Sequence, residues 1–349
     1  MKILFCGLGS VGQRHLRNVR TLLGDQVEIL AYRARGNSPV LNPDMSVRSG
    51  ADLETTYQLR SFTRLEDALN ENPDVAFVTN PNALHLPVAL AAARSGCHLF
   101  IEKPLSDSLD GTNELVTEVE NHHLVAFVAY QFRFHPGLRW VKQLITEGKL
   151  GNLVSAHIVN GEYLPGWHPY EDYRGTHPTQ KALGGGCLRI QTHELDYAMW
   201  LFGRPNRVYT VGGHLSNLEV DDVEDSADIL LTCQNNGHIL PVHIHLDYLQ
   251  RPPQRICEVI GDAGKVRYDY YANQVEFDDL ATKTKQIFRF DNYERNLMFM
   301  DELKHFMACI RGEEMPGVNL HEGILSMKIT SAAAESLSSG QSVEILYDR

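Results

Sequence analysis

Three short stretches of this 349-residue chain combine residue types and spacings that chemistry can use. In Glu102-Lys103-Pro104, the proline fixes its own φ and pushes Lys103 towards an extended backbone, so the amine is aimed. A strand-end ammonium facing a nicotinamide hydrogen-bonds a substrate oxygen and favours its alkoxide-like state. An ordinary surface lysine after a strand fits the same residues. The second stretch runs from Gly184-Gly185-Gly186 through Arg189 and Ile190 to His193-Glu194-Leu195-Asp196-Tyr197. The glycines permit a tight backbone path under a ligand. On the helix expected after them, His193, Asp196 and Tyr197 share one face. His193 beside Asp196 is either a proton-transfer pair or a buried structural pair. The third stretch is Gly7-Leu8-Gly9-Ser10-Val11-Gly12, the spacing that brings a backbone turn against a pyrophosphate.

The elements around these stretches give the glycines their context. Met1–Cys6 is a short apolar run, and the residues from Gln13 onward carry apolar positions at 16, 19, 22 and 23. Strand, G-x-G-x-x-G, helix is the dinucleotide-binding order, with phosphates at the helix N-terminus. A purely structural glycine turn is the other reading. Val27–Ala31 predicts the second strand, followed by Tyr32-Arg33-Ala34-Arg35 where NAD-preferring folds place an acid. A guanidinium suits a 2′-phosphate, so Arg33 tips the reading towards NADP over NAD, although it could equally stack on adenine. Residues 36–60 read as a long surface excursion rich in turn formers. Beyond it the pattern predicts a helix over 65–70, strands over 74–79 and 98–101, and a helix over 84–95. Asn80, Pro81, Glu102 and Lys103 then fall at carboxyl strand ends, where ligands of a parallel sheet bind.

A further helix over 109–121, a strand over 124–130 and a helix over 136–147 complete this half. From Val154 strand-like runs dominate (154–159, 208–211, 227–232, 238–247, 256–260, 265–270, 275–278), which predicts a second, α+β domain on a largely antiparallel sheet. His238, His243 and His245 lie on one strand and read as a solvent face rather than a metal site, because no carboxylate shares their spacing.

Composition excludes several classes. A net charge of −12 argues against nucleic-acid or anionic-membrane partners. Met1 leads straight into a strand, and no apolar stretch is long enough to span a bilayer, so a cytoplasmic protein is expected. Six scattered cysteines without C-x-x-C spacing read as reduced thiols, and no metal is expected.

Together these residues resemble the Gfo/Idh/MocA family, the glucose–fructose oxidoreductase and inositol 2-dehydrogenase group. The resemblance rests on Gly7–Gly12, Thr79-Asn80-Pro81 with His85, Gly96-Cys97-His98-Leu99-Phe100-Ile101-Glu102-Lys103-Pro104, Arg133-Phe134-His135-Pro136, Gly148-Lys149-Leu150-Gly151 and the segment from Gly184 to His193. It implies an α/β fold with an N-terminal Rossmann domain over 1–127. An α+β domain over 128–349, with an open-faced sheet, would follow. It also implies cofactor contacts by Gly7, Gly9, Ser10, Val11, Gly12, Arg33, Thr79, Asn80, Pro81, His85, Glu102 and Lys103. Lys103 would meet the substrate hydroxyl and His193 would accept its proton. The family's Asp three or four residues before that His is replaced here by Ile190. Three readings follow: the carboxylate is dispensable, as in members with other residues there; it comes from elsewhere, such as Glu162, Asp172 or Glu194; or the chemistry has been lost.

The stretch 162–174 is dense in aromatics and hydroxyls and reads either as pocket mouth or as loop packing. Substrate contacts are expected from Gln131, Arg133, Tyr163, Trp167, Arg174, Arg189 and Asp196. The implied activity is NAD(P)-dependent hydride transfer at a hydroxyl or keto carbon of a sugar, sugar acid or nucleotide-linked sugar, in a nonulosonic-acid or surface-polysaccharide pathway. A cofactor-binding sensor without turnover is the alternative. The family's open sheet buries its face against another subunit, which implies a homodimer or homotetramer.

Overall fold

The computed structural model describes residues 1–34 and 38–347; Arg35, Gly36 and Asn37, part of the expected basic and turn-forming stretch, lie outside the described residues. The chain divides into two compact units. The first is Met1–Tyr130 with His168–Asp172 and Phe299–Ile324, and the second holds the remainder. No single boundary at 127/128 describes this division, because two later segments return to the first unit.

The first unit is built on alternating short strands and helices: β1 (Lys2–Cys6), α1 (Ser10–Leu23), β2 (Glu28–Tyr32), α2 (Leu53–Tyr57), β3 (Leu59–Phe62), α3 (Leu65–Leu69), β4 (Val75–Val78), α4 (His85–Arg94), β5 (His98–Glu102), α5 (Thr112–Asn121) and β6 (Ala126–Ala129). The six strands pair in the order β3-β2-β1-β4-β5-β6, and every pair is parallel. β4 and β6 are buried along their whole length, as strands covered by helices on both faces must be. Their core is a row of stacked rings: Phe5 on Phe77 and Phe77 on Phe100, both at 4.7 Å. Strand order reverses at β1 and β4, so the carboxyl ends of these strands frame the crevice where such sheets bind ligands.

Within the described part of that stretch, 38–60, the chain is more ordered than its turn residues predict. Asp52 caps α2 by accepting from Thr55 N, and β3 then pairs with β2. Four-residue β3 has too little periodicity to be read locally; its pairing with β2 defines it.

The second unit contains α6 (Pro136–Thr146), β7 (Leu153–Gly161), α7 (Cys187–Ile190), α8 (His193–Phe202), β8 (Pro205–Gly213), β9 (Ser226–Asn235), β10 (His238–Asp247), β11 (Gln254–Gly261), β12 (Gly264–Asp269), β13 (Gln274–Asp279), β14 (Thr284–Arg289) and β15 (Val343–Glu344). Helices α9 (Asn296–Ile310) and α10 (Leu320–Ser339) contribute residues to both units. The nine-stranded sheet runs β14-β13-β12-β11-β7-β10-β9-β8-β15. It is antiparallel except for β7 beside β10, whose parallel register joins His157 to His243. That central pair makes the sheet mixed. Helices α6, α7 and α8 pack on the sheet, burying Val242, Ile244 and Leu246 of β10, while His243 is exposed and His245 half-buried.

Candidate functional site

The three glycines of the first loop have different duties. Gly7 has φ +105°, and a Cβ there would stand 2.9 Å from Asn80 N; a Cβ on Gly12 would stand 2.3 Å from Gly7 O. Both therefore serve the close packing of β1, α1 and the end of β4. A Cβ on Gly9 would meet no protein atom. Gly9 is also the N-cap of α1, with no side chain capping the helix and no acid in its first turn. The amides of Ser10, Val11 and Gly12 thus open onto free space at a positive helix end, which fits a diphosphate. The residues present accommodate a dinucleotide.

The strand ends beside this loop are tied by buried side chains. Thr79 Oγ1 donates to Gly7 O at 2.6 Å. His85 spans two corners, with Nδ1 2.8 Å from Pro104 O and Nε2 2.7 Å from Asn80 O. Burial keeps its imidazole below the ordinary value, against both carbonyls, which favour the charged ring. Glu102 meets His15 Nε2 at 2.6 Å and accepts Lys103 N at 3.2 Å. Burial works to raise the Glu102 carboxyl, but His15 and the Lys103 charge hold it below the usual range. His85 and Glu102, expected at the nucleotide, spend their polar atoms on fixing the corners that carry Asn80, Pro81 and Lys103. Arg33 follows β2, its backbone N donating to Phe62 O at 2.9 Å.

The second unit assembles a separate group around His193, the first residue of α8. The glycine run does not lie under open space. Gly186 has φ +101°, a Cβ there would strike the Glu224 carboxylate, and one on Gly185 would strike the carbonyls of His177 and Pro178. The run breaks into α7 and α8 at Gln191-Thr192, where one helix was expected. His193 Nε2 lies 3.1 Å from Gln131 Nε2; an amide flip would present the carbonyl oxygen instead. Phe132 packs on the imidazole, with centroids 4.9 Å apart.

Asp196 is paired with an arginine. Arg133 clasps it through Nε at 2.9 Å and Nη2 at 2.7 Å, a bidentate and almost fully buried pair. Asp196 shares a helix face with His193, and the cation paired with its carboxylate comes from 63 residues away. Glu162 and Glu194, two of the carboxylates named for the acid absent at Ile190, both face Arg255. Its Nε reaches Glu194 at 3.0 Å and its Nη1 reaches Glu162 at 3.5 Å. Burial opposes the Arg255 charge, yet these two carboxylates keep it cationic. The guanidinium also lies 4.3 Å from the Phe132 centroid, stiffening the ring beside His193. Asp172 falls in the first unit.

Among the expected substrate residues, Gln131, Arg133 and Asp196 are buried around His193. Tyr163 carries Arg251 over its ring at 4.0 Å, Trp167 packs edge-on to Tyr248 at 5.4 Å, and Arg174 pairs with Glu219 at 3.1 Å. Arg189 is half-buried, near enough to Glu224 for its charge to oppose the upward push of burial on that carboxyl. Lys103 belongs to the first unit and His193 to the second.

Sequence reasoning missed His15, Arg255 and Glu302. His15 sits three residues past Gly12 on the inner face of α1, a position the helical period alone could have flagged. Glu302 is buried on α9, and burial beside Glu102 drives its carboxyl well above the usual range. The six cysteines are free and buried. Among the described residues no group of three or more His, Cys, Asp or Glu is placed to hold a metal, and no helix is long and apolar enough to cross a membrane.

The chain belongs to the Gfo/Idh/MocA oxidoreductase family: residues 1–130 match its NAD-binding Rossmann fold and residues 142–345 its C-terminal α/β domain. It is 26% identical to the uncharacterized oxidoreductase YrbE of Bacillus subtilis (strain 168), over 97% of this chain and 95% of that one. It is 23% identical to the myo-inositol 2-dehydrogenase of Thermotoga maritima, over 99% and 98%. Among solved structures it superposes, with a TM-score of 0.78 and 22% identity over 100% and 99% of the two chains, on the WlbA dehydrogenase of Bordetella pertussis in complex with NADH and UDP-GlcNAcA.

Proposed function

We propose that this oxidoreductase exchanges a hydride between NAD(H) and a hydroxyl or keto carbon of a sugar, sugar acid or nucleotide-linked sugar. The observation that carries the reading is the preparation of two proton-handling side chains. Lys103 leaves a corner fixed by Glu102, His15 and His85, and His193 is set by Gln131, Phe132 and the Arg255 network. A bound nicotinamide supplies hydride acceptance or donation. Lys103 hydrogen-bonds the reacting oxygen and His193 carries its proton. A sensor without turnover needs neither group. The solved relative holding NADH supports NAD(H); an NADP preference rests on Arg33 alone.

The same relative, holding a nucleotide-linked sugar acid, supports an anionic sugar as substrate. With Arg174 committed to Glu219, Arg189 is the cation we assign to the acid group. The open face of the large sheet exposes Tyr209 and Val211, which supports assembly into a homodimer or homotetramer. The six buried thiols suit a reducing compartment such as the cytoplasm.

The test is turnover of a panel of inositols, anhydro-sugars, uronic acids and nucleotide-linked uronic acids, followed by nicotinamide absorbance. With a substrate found, Lys103→Met should lower kcat severely and leave NADH affinity intact. His193→Asn should cost roughly 10²–10⁴-fold and remove one limb of the pH profile. Full turnover in Lys103→Met would end the assignment.

A further inference from the structure

The aromatic loop does something its sequence did not announce. Its segment His168–Asp172 belongs to the first unit, where it lies against the glycine loop. His168 Nε2 is 3.3 Å from Ser10 Oγ across 158 residues of chain. His168 Nδ1 is 3.0 Å from Glu171 Oε1. An ionised carboxylate only accepts hydrogen bonds, so Nδ1 carries a hydrogen and the Nε2 edge is turned to the serine. The Tyr170 ring packs 5.5 Å from the imidazole. Glu171 sits at the outer end of this chain, its carboxyl held below the usual range by the His168 hydrogen bond.

Ser10 is the first residue of α1 and directly follows Gly9, whose missing side chain leaves open space in front of the helix amides. A lone imidazole resting on a serine would be ordinary packing. Here the contact falls on the one residue of the loop whose hydroxyl flanks that opening. A carboxylate fixes the orientation of the ring, and the Tyr170 ring packs against it. These are the parts of a polar wall along one side of the diphosphate position.

We propose that His168, aimed by Glu171, is a positioning residue that sets the Ser10 hydroxyl and closes the diphosphate end of the dinucleotide site. The inference rests on the NAD(H) reading and deepens it, since it takes the wall of the nucleotide site partly from a segment beyond the Rossmann sequence. In the closed arrangement Glu171 accepts from His168 Nδ1–H, His168 Nε2–H donates to Ser10 Oγ, and the Ser10 hydrogen, together with the α1 amides, is left for the phosphate oxygens. The nicotinamide and adenine ends take no part in this contact.

Equilibrium binding separates the possibilities without any turnover. NADH affinity is measured by fluorescence titration, and ADP-ribose, which keeps the diphosphate and lacks nicotinamide, by calorimetry. His168→Ala should weaken both by about tenfold, the size of one well-placed hydrogen bond of ~1.4 kcal/mol. His168→Gln, able to hydrogen-bond Ser10, should recover most of the loss. Glu171→Gln should fall between them. Thermal midpoints near wild type confirm that each variant is folded. Wild-type affinity for both ligands in His168→Ala overturns the proposal. So does a loss for NADH with ADP-ribose unchanged, which would move the contact to the nicotinamide. A wild-type protein that binds neither ligand would instead refute the NAD(H) reading itself, a different and separately visible result.

Discussion

Substituting Gly9 and Gly12 separates a glycine kept for a ligand from one kept for the fold. Gly9 has φ −70° and ψ −167°, a backbone any residue adopts, and a Cβ there meets nothing within 4 Å. Gly9→Val should therefore fold, at a cost of about 0.5–1 kcal/mol for a poor N-cap. Its branched side chain would occupy the space in front of the Ser10, Val11 and Gly12 amides. Diphosphate approach within hydrogen-bond distance becomes impossible, and NADH affinity should fall by at least ~100-fold, since several charge-assisted bonds of about 1.5–3 kcal/mol each are lost together. Gly12→Ala is the opposite case. Its Cβ would lie 2.3 Å from Gly7 O and 2.9 Å from Thr79 Oγ1. Gly7 O cannot retreat freely because Thr79 Oγ1 holds it. Overpacking of this kind costs roughly 1–3 kcal/mol or more. Urea denaturation and NADH titration of the two variants give the comparison. Wild-type NADH affinity in Gly9→Val, or unchanged stability in Gly12→Ala, would refute this division of labour.

The buried Arg133–Asp196 pair predicts that Asp196→Ala, which strands the guanidinium, destabilises the second unit by roughly 3–5 kcal/mol, whereas Arg133→Met with Asp196→Leu recovers much of it; denaturation midpoints decide. His245 is raised to about 9 from an ordinary 6.5, chiefly by its bond to Asp247, then by Asp228. Its contribution is fully present below about pH 6.5 and lost as pH rises through 9. The imidazole is a third exposed, so the shift is discounted to about 1 kcal/mol. His245→Gln should flatten thermal stability over that window, and an unchanged slope would count against the pairing. Light scattering should give a mass above the 39.3 kDa monomer; a monomer at micromolar concentration would contradict assembly through the open sheet face.

What could be read from the chain alone was whatever local spacing encodes. The glycine loop, the α1 period and the Lys103-Pro104 corner depend on neighbours a few residues apart, so the dinucleotide fold and the two principal candidates were legible. The partners were not. Helical spacing put His193 and Asp196 on one face, but Arg133 captured Asp196 and Gln131 met His193 from more than sixty residues away. Glu194 meets Arg255, which arrives from β11, 61 residues away. β7 and β10 became parallel neighbours across some eighty residues of intervening chain, which no strand pattern announces. The same holds for His168 at Ser10. A buried charge takes the nearest counter-charge in space, because desolvation makes an unpaired one too costly. Proximity in space is set by the packing of whole sheets and helices, so residue spacing named the groups able to do chemistry and tertiary packing decided which of them stand together.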